Sequence, residues 1–537
     1  MEQICQQYHL LQEEAGVIRV PFLVKGKLVL PPEIERDEIV AAFANLGPEV
    51  QYVKLPGAQL LREPVIDRNT LKYTSDYLYQ VLPPVDPRQL LETDIDPLVR
   101  GPYALKVAEI VQYLQAVASM LKENWATMER VRQLCLRTAE YPDIFLNGAF
   151  ASLQAGLDPH AAECMIDQEL SIWQIPGRKF LDGWVDVPAE VIPGLTPFFA
   201  QTLAASEPPE AHPLPVPVKT SIRAMPTRQL HITAGNAPQV PLISALRLIL
   251  TKSAGVVKFP FGAILPGMLL SLAAYSAAPD HPLTQHISTV YWQGGDESIE
   301  NTLFLPGAFD RIVVWGAPEA VTSVQSRAVF TRTVCFNPRY GISLIGQEAF
   351  PDDVDKVAFL GAMDVMINNQ KACTSSLVQY VEGTEDQVRQ YAGRLAEMLS
   401  RWDAQAPSFV LPANRGQVKR MRRGKYARAE WLTNTKEGEF SSGVVILPDE
   451  FDLLDHPMCR LVILRRVEHL SQVLTYLHQG VSMAGVYPEN RRLELRDAIL
   501  ARGVSSVLPL GQCERVYPGI PQDGMLVLSE LVDWKNG

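Results

Sequence analysis

The residues best placed to do chemistry surround a single cysteine. Asn368-Asn369-Gln370-Lys371-Ala372-Cys373-Thr374-Ser375-Ser376 is a loop of small and polar residues between the apolar run 359–367 and a strand expected at 377–381. Such a loop can present a thiol as a nucleophile. Small neighbours admit a substrate carbonyl, and nearby backbone N–H groups can meet the oxyanion that forms. A buried structural thiol fits the same segment, because one cysteine among seven proves little.

Four other segments could meet a ligand. Arg311-Ile312-Val313-Val314-Trp315 reads as an apolar strand that turns through Gly316-Ala317 into a helix opened by Pro318. That turn points backbone N–H groups and a helix dipole at an anion such as a pyrophosphate, although an ordinary strand-to-helix turn has the same look. Lys258 closes a strand expected at 255–259, and by itself it reads as a solvated strand end. Asn236 lies in the turn Gly235-Asn236-Ala237-Pro238, where asparagine commonly caps the following helix. Arg415, Lys419, Arg420, Arg422, Arg423, Lys425 and Arg428 reverse the local sign of an acidic chain. They read either as a solvated face or as a site for phosphates or an acidic carrier surface.

The elements that must position these residues alternate in type. From residue 228 onward, strands expected at 229–233, 255–259, 289–293 and 311–315 are interleaved with helices at 242–251 and 268–278. That alternation implies an α/β, doubly wound parallel sheet with ligands at the loops after its strands. Upstream, 207–218 holds five prolines and reads as a linker. The first 206 residues mix short strands, one expected at 25–30, with helical periodicity over 103–140. This α+β region carries no catalytic pattern.

Bulk properties exclude several classes. The chain has 537 residues, 47% hydrophobic and 20% charged, which suits a globular protein of more than one domain. A net charge of −11 argues against nucleic acid as a partner. The first residues, Met1-Glu2-Gln3-Ile4-Cys5, do not read as an export signal. The uncharged stretch 259–279 contains Pro260, Gly262, Pro266 and Gly267, so it reads as a loop and a buried helix rather than a transmembrane segment. Seven scattered cysteines without a C-x-x-C pair imply no disulfide framework and no metal, and a cytoplasmic protein. There is no G-x-G-x-x-G, complete P-loop, G-x-S-x-G or H-E-x-x-H.

The run 231–238 followed by Gly255-Val256-Val257-Lys258 resembles the aldehyde dehydrogenase superfamily. More closely, Ala234-Gly235-Asn236-Ala237-Pro238, Leu250-Thr251-Lys252, Gln370-Lys371-Ala372-Cys373 and the ending 528–534 resemble the long-chain acyl-CoA reductase family, which includes the reductase component of bacterial bioluminescence systems. The resemblance implies an aldehyde-dehydrogenase-like fold. Its expected parts are an N-terminal region at 1–206, the linker, a nicotinamide-cofactor domain at 219–335, a catalytic domain at 336–480 and a C-terminal segment at 481–537.

It also implies chemistry residue by residue. Cys373 would be the nucleophile, helped to ionise by local dipoles or Lys371, and Asn236 an oxyanion donor. Lys258, Gly294, Gly295, Trp315, Gly316 and Ala317 would hold the cofactor, expected to be NADPH with NADH the other candidate. Arg420, Arg422, Arg423 and Lys425 are candidates for the phosphates of CoA. The substrate would be a fatty acyl-CoA or an acyl carrier protein thioester, reduced to an aldehyde. A homo-oligomer and a companion enzyme that uses the aldehyde are further expectations.

Two departures bear on this. No Asp or Glu occurs from Ala320 through Gln347, where aldehyde-oxidising relatives keep a water-activating glutamate. Leu453-Leu454-Asp455-His456-Pro457 lacks the glutamate of a ribose-contacting motif, leaving Asp452 or Asp455 as substitutes. Two rival readings remain: an aldehyde dehydrogenase forming acid, and a catalytically silent subunit that binds an acyl carrier.

Overall fold

The computed structural model describes residues 1–187, 220–235, 239–350, 352–448, 453, 456–515 and 517–537. The proline-rich linker, Asn236, Asp452 and Asp455 lie outside the described residues.

Short strands, most of them buried on both faces in the middle of the sheet, build the first large sheet, as parallel strands covered by helices do. Five of its seven strands are parallel and run in the order Arg332–Phe336, Arg311–Trp315, Arg228–Ile232, Ala254–Lys258 and Ile287–Val290. Chain order reverses between Arg228–Ile232 and Arg311–Trp315, the switch point where the strands diverge to opposite sides. The helices Val240–Leu250 and Ile264–Ala277 cover the sheet, and residues 264–274 are buried without interruption. No helix among the described residues is long and apolar enough to cross a membrane.

The N-terminal region is woven into this sheet. The single strand expected at 25–30 is instead a hairpin of Phe22–Val24 and Lys27–Val29, whose first strand pairs antiparallel with Ile287–Val290. Lys25 (φ 46°) and Gly26 (φ 71°) make the turn, and the β-rich composition on both sides hid it. The helical periodicity over 103–140 resolves into Val107–Glu123 and Trp125–Thr138, with the break at Asn124.

A second seven-stranded sheet has the order Glu430–Lys436, Glu439–Ile446, Leu461–Val467, Ser376–Glu382, Tyr340–Ile345, Val481–Tyr487 and Ser506–Pro509. All its pairings are parallel except the first. The strands at 481–487 and 506–509 thus complete the sheet that carries the cysteine loop, across the boundary expected at 480. The chain then returns, and Asp533–Asn536 pairs antiparallel with Thr220–Met225 beside the first sheet.

Candidate active site

The carboxyl ends of the first sheet face the amino ends of the second across a cavity of about 920 Å³. From the first come Ala234 and Gly235, then Trp315, Gly316 and Ala317, which flank the switch point. From the second come Tyr340, Leu377 and Met483, each near the start of its strand. Cys373 lies at this junction, partly buried, in the turn before Ser376–Glu382. The N-terminal region supplies a third wall through Ile144, Phe145, Gly148, Ala149 and Ser152, one face of the helix Asp143–Ala155.

The cysteine loop is held in an unusual backbone state. Asn368, Asn369 and Gln370 all have left-handed φ, at 46°, 57° and 65°. Asparagine tolerates that region, whereas glutamine visits it only when its surroundings enforce it. Here they do. Gln370 Nε2 donates to the Leu461 carbonyl at 2.7 Å, Ser375 Oγ to the Ile367 carbonyl at 2.8 Å, and Ser482 Oγ to the carbonyl of Cys373 itself. Gly341 N–H donates to the Ser375 carbonyl at 2.8 Å.

Burial pushes the Cys373 thiol up to about 11, with the Asp523 carboxylate adding to the rise and Arg339 opposing it. Lys371, expected to help ionise the thiol, is turned elsewhere. Its ammonium pairs with Glu140 and sits 5.7 Å from the centre of the Tyr141 ring, both in the N-terminal region. Burial lowers the Lys371 pKa to about 8.

The stretch 320–347 brings no carboxylate to the cavity, but two others reach it from elsewhere in the chain. Asp523 and Glu514 both line the cavity, delivered by the C-terminal segment. Glu514 is exposed, whereas the Asp523 side chain is only 11% exposed and lies 3.8 Å from Arg339. Burial raises the Asp523 pKa, and Arg339 and Arg247 oppose the rise. An Asp-Gly hairpin signal was present in the sequence, but nothing in it said where the hairpin would lie.

The remaining expected residues divide. Trp315, Gly316 and Ala317 share the cavity with Cys373. Trp315 stacks on Phe336, with centroids 3.7 Å apart and planes at 12°. Lys258, Gly294 and Gly295 stand outside that lining, although Lys258 ends a strand on the same edge of the sheet. Lys258 is no solvated strand end: it is 7% exposed, with its ammonium 5.3 Å from the Trp292 ring centre. Burial lowers its pKa to about 8, with Glu300 opposing. Gly295 N–H donates to Glu300 Oε1 at 3.1 Å. Arg420, Arg422, Arg423 and Lys425 are exposed at the end of the helix Pro412–Arg423 and just beyond it, and do not line the cavity. Asn236 is outside the described residues, but Gly235 and Gln239 on either side line the cavity.

A dinucleotide fits the first sheet's edge. The Lys258 ammonium makes no hydrogen bond to a described residue, and Ala317 gives the helix Pro318–Arg327 no side-chain cap. Hydroxyl and phosphate groups could take up such donors.

The fold is aldehyde-dehydrogenase-like. The structure resembles aldehyde dehydrogenase 21 from Physcomitrella patens, with a TM-score of 0.65 and 11% identity over 96% of this chain and 97% of that one. It also resembles an NADP-dependent glyceraldehyde-3-phosphate dehydrogenase from Bacillus halodurans, with a TM-score of 0.66 and 13% identity over 97% and 99%. Within that class the chain belongs to the acyl-CoA reductase (LuxC) family, whose model matches residues 218–534. It is 27% identical over 320 residues to the long-chain acyl-protein thioester reductase of Photorhabdus luminescens, covering 58% of this chain and 64% of that relative. The match therefore spans less than two thirds of the relative's length. The expectation of family and fold is borne out.

Proposed function

We propose that this protein reduces a fatty acyl thioester to an aldehyde through an acyl group carried on Cys373. One observation carries the reading: the thiol stands on an enforced loop inside a cavity whose far side is the switch-point edge of a parallel sheet. Nucleophile and dinucleotide edge therefore meet in one space, as hydride transfer to an enzyme-bound acyl group requires.

In this reading Cys373 attacks the thioester, and loop N–H groups with the Asn236 amide receive the oxyanion. Lys258, Trp315, Gly316 and Ala317 hold a nicotinamide cofactor, and Gly294 and Gly295 shape the neighbouring loop. A reduced nicotinamide supplies the two electrons and the hydrogen that convert the acyl group to aldehyde. NADPH is the expected form, by analogy with the NADP-dependent structural neighbour. Ile144, Phe145, Ile243, Met458 and Met483 give the cavity apolar walls suited to an acyl chain. The thiol carrier is CoA or an acyl protein, the latter by analogy with the curated relative.

The test is NADPH oxidation with a panel of acyl-CoA and acyl-protein thioesters, with product analysis and a Cys373→Ala control. Aldehyde that disappears with the variant supports the proposal. Asp523 and Glu514 keep one rival in view, since a carboxylate in the cavity of the thiol suits aldehyde oxidation as well. Acid formed from aldehyde and oxidised cofactor, without thioester reduction, would favour that rival. No turnover in either direction would favour the silent subunit.

A further inference from the structure

We propose that Asp523 takes the proton from the Cys373 thiol during attack on an acyl thioester and returns it to the departing thiolate. This deepens the acyl-transfer reading and rests on it.

The geometry begins with a hairpin. Gln522 and Met525 exchange both backbone hydrogen bonds, at 2.9 Å each, so Asp523-Gly524 forms a two-residue turn. Both central residues have positive φ, 50° and 80°, as the turn type that matches strand twist demands. The hairpin is anchored on both sides. Arg247, buried in the helix Val240–Leu250, donates to Gln522 Oε1. Downstream, Leu528 N–H donates to the buried Glu169 at 2.8 Å. The Asp523 carboxylate is thus a fixed group in the wall of the Cys373 cavity.

It accepts no hydrogen bond from a described residue, and its ion pair with Arg339 is a long one, at 3.8 Å. Arg339 is itself committed, donating to Ser505 Oγ at 2.6 Å. The other described groups of the lining are poorer candidates. Glu514 is exposed, Lys371 is paired with Glu140, and the Tyr340 hydroxyl lies against His478 at 3.1 Å. The thiol needs a base, because only its thiolate is a competent nucleophile.

The step balances without a co-reactant. The S–H bond of Cys373 breaks as its sulfur forms a bond to the acyl carbon, and the proton passes to an Asp523 oxygen. The bond from acyl carbon to carrier sulfur then breaks. The Asp523 carboxylic acid protonates the leaving thiolate, which restores the carboxylate. Acyl thioester and enzyme thiol become acyl-enzyme and carrier thiol.

Two rates on the full chain test this. One is single-turnover formation of the Cys373 adduct from hexanoyl-, decanoyl- or hexadecanoyl-CoA, followed by intact mass. The other is alkylation of Cys373 by iodoacetamide at pH 8. Removing a negative charge beside a thiol makes it more acidic, so Asp523→Asn should alkylate as fast as native protein or faster. Loss of the base should slow its acylation on the order of a hundredfold. Asp523→Glu should recover part of that rate. Acylation of the Asn variant at the native rate or above would overturn the proposal, since the carboxylate would then only repel the thiolate. Native acylation with slower hydrolysis of the adduct would overturn it too, placing the base on water. Equal losses in both rates would leave Asp523 a structural residue. A native protein that forms no adduct fails the acyl-transfer reading itself, a result visible without any variant.

Discussion

Arg460 Nε donates to Asn369 Oδ1 at 2.7 Å, tying a buried guanidinium to a left-handed residue of the Cys373 loop. The same guanidinium pairs with Asp403 at 2.7 Å and donates to the Ala406 carbonyl at 2.8 Å. One side chain thus joins the Cys373 loop to the region at the end of the helix Glu385–Gln405.

Arg460→Met should therefore damage both stability and site. It leaves the largely buried Asp403 without its cation, with only the Ser442 hydroxyl still donating to it, and breaking a buried pair costs about 3–5 kcal/mol. Urea unfolding should register that loss, and Cys373 alkylation in native buffer should lose its single-rate behaviour as the loop relaxes. Unchanged stability with full acylation would show that the loop does not depend on this tie.

Gly341 sits against the loop from the other side. A Cβ there would lie 2.2 Å from the Thr374 carbonyl oxygen and 2.9 Å from that of Ser375. Both are backbone atoms, so Gly341→Ala must displace the turn that carries Cys373. Misplacing a reacting group by about 1 Å can cost on the order of a hundredfold in rate. Steady-state reduction should fall by that order while circular dichroism stays native. A fully active variant would mean that the turn has slack.

The thiol gives a pH dependence. Its folded pKa is raised to about 11, so the protonated form dominates at neutral pH. Reactivity with iodoacetamide should climb about tenfold per pH unit from 7 and level off near 11. Intact mass with Cys373→Ala as background isolates this site from the other cysteines. A plateau near pH 7 would mean that the site ionises the thiol without help, and would remove the need for a base.

Chain-length preference should respond to Gly148. It lies on the cavity face of the helix Asp143–Ala155, and an added Cβ meets nothing within 4 Å. Gly148→Leu fills part of the acyl space and also removes a helix-weakening glycine. The ratio of kcat/KM for hexadecanoyl over hexanoyl thioesters should drop by at least about tenfold, in line with the cost of displacing a few methylenes. Alkylation by the small iodoacetamide should not change. An unaltered ratio would place the acyl chain along another wall.

Much of this protein was legible in its sequence for local reasons. The strand at 311–315 and its turn through Gly316 follow from a β-branched run, a glycine and a helix-opening proline, all adjacent. The helices over 242–251 and 268–278 were readable from apolar content and end signals, to within a few residues. The hairpin at 22–29 was missed because its two strands share one composition and Lys25-Gly26 is a weak turn signal.

The sequence alone determined several elements of the first sheet, the family and the one cysteine in a loop of the right chemical kind. Only the tertiary structure decided which groups surround that thiol. Lys371, two residues away, turns to Glu140, while Asp523, far along the chain, enters the cavity. The helix face at 144–152 closes a wall from a region that carried no motif at all. Periodicity and turn chemistry act over a few residues and leave their mark in spacing. The meeting of distant segments is set by how two sheets pack edge to edge, and that leaves no periodic trace to read.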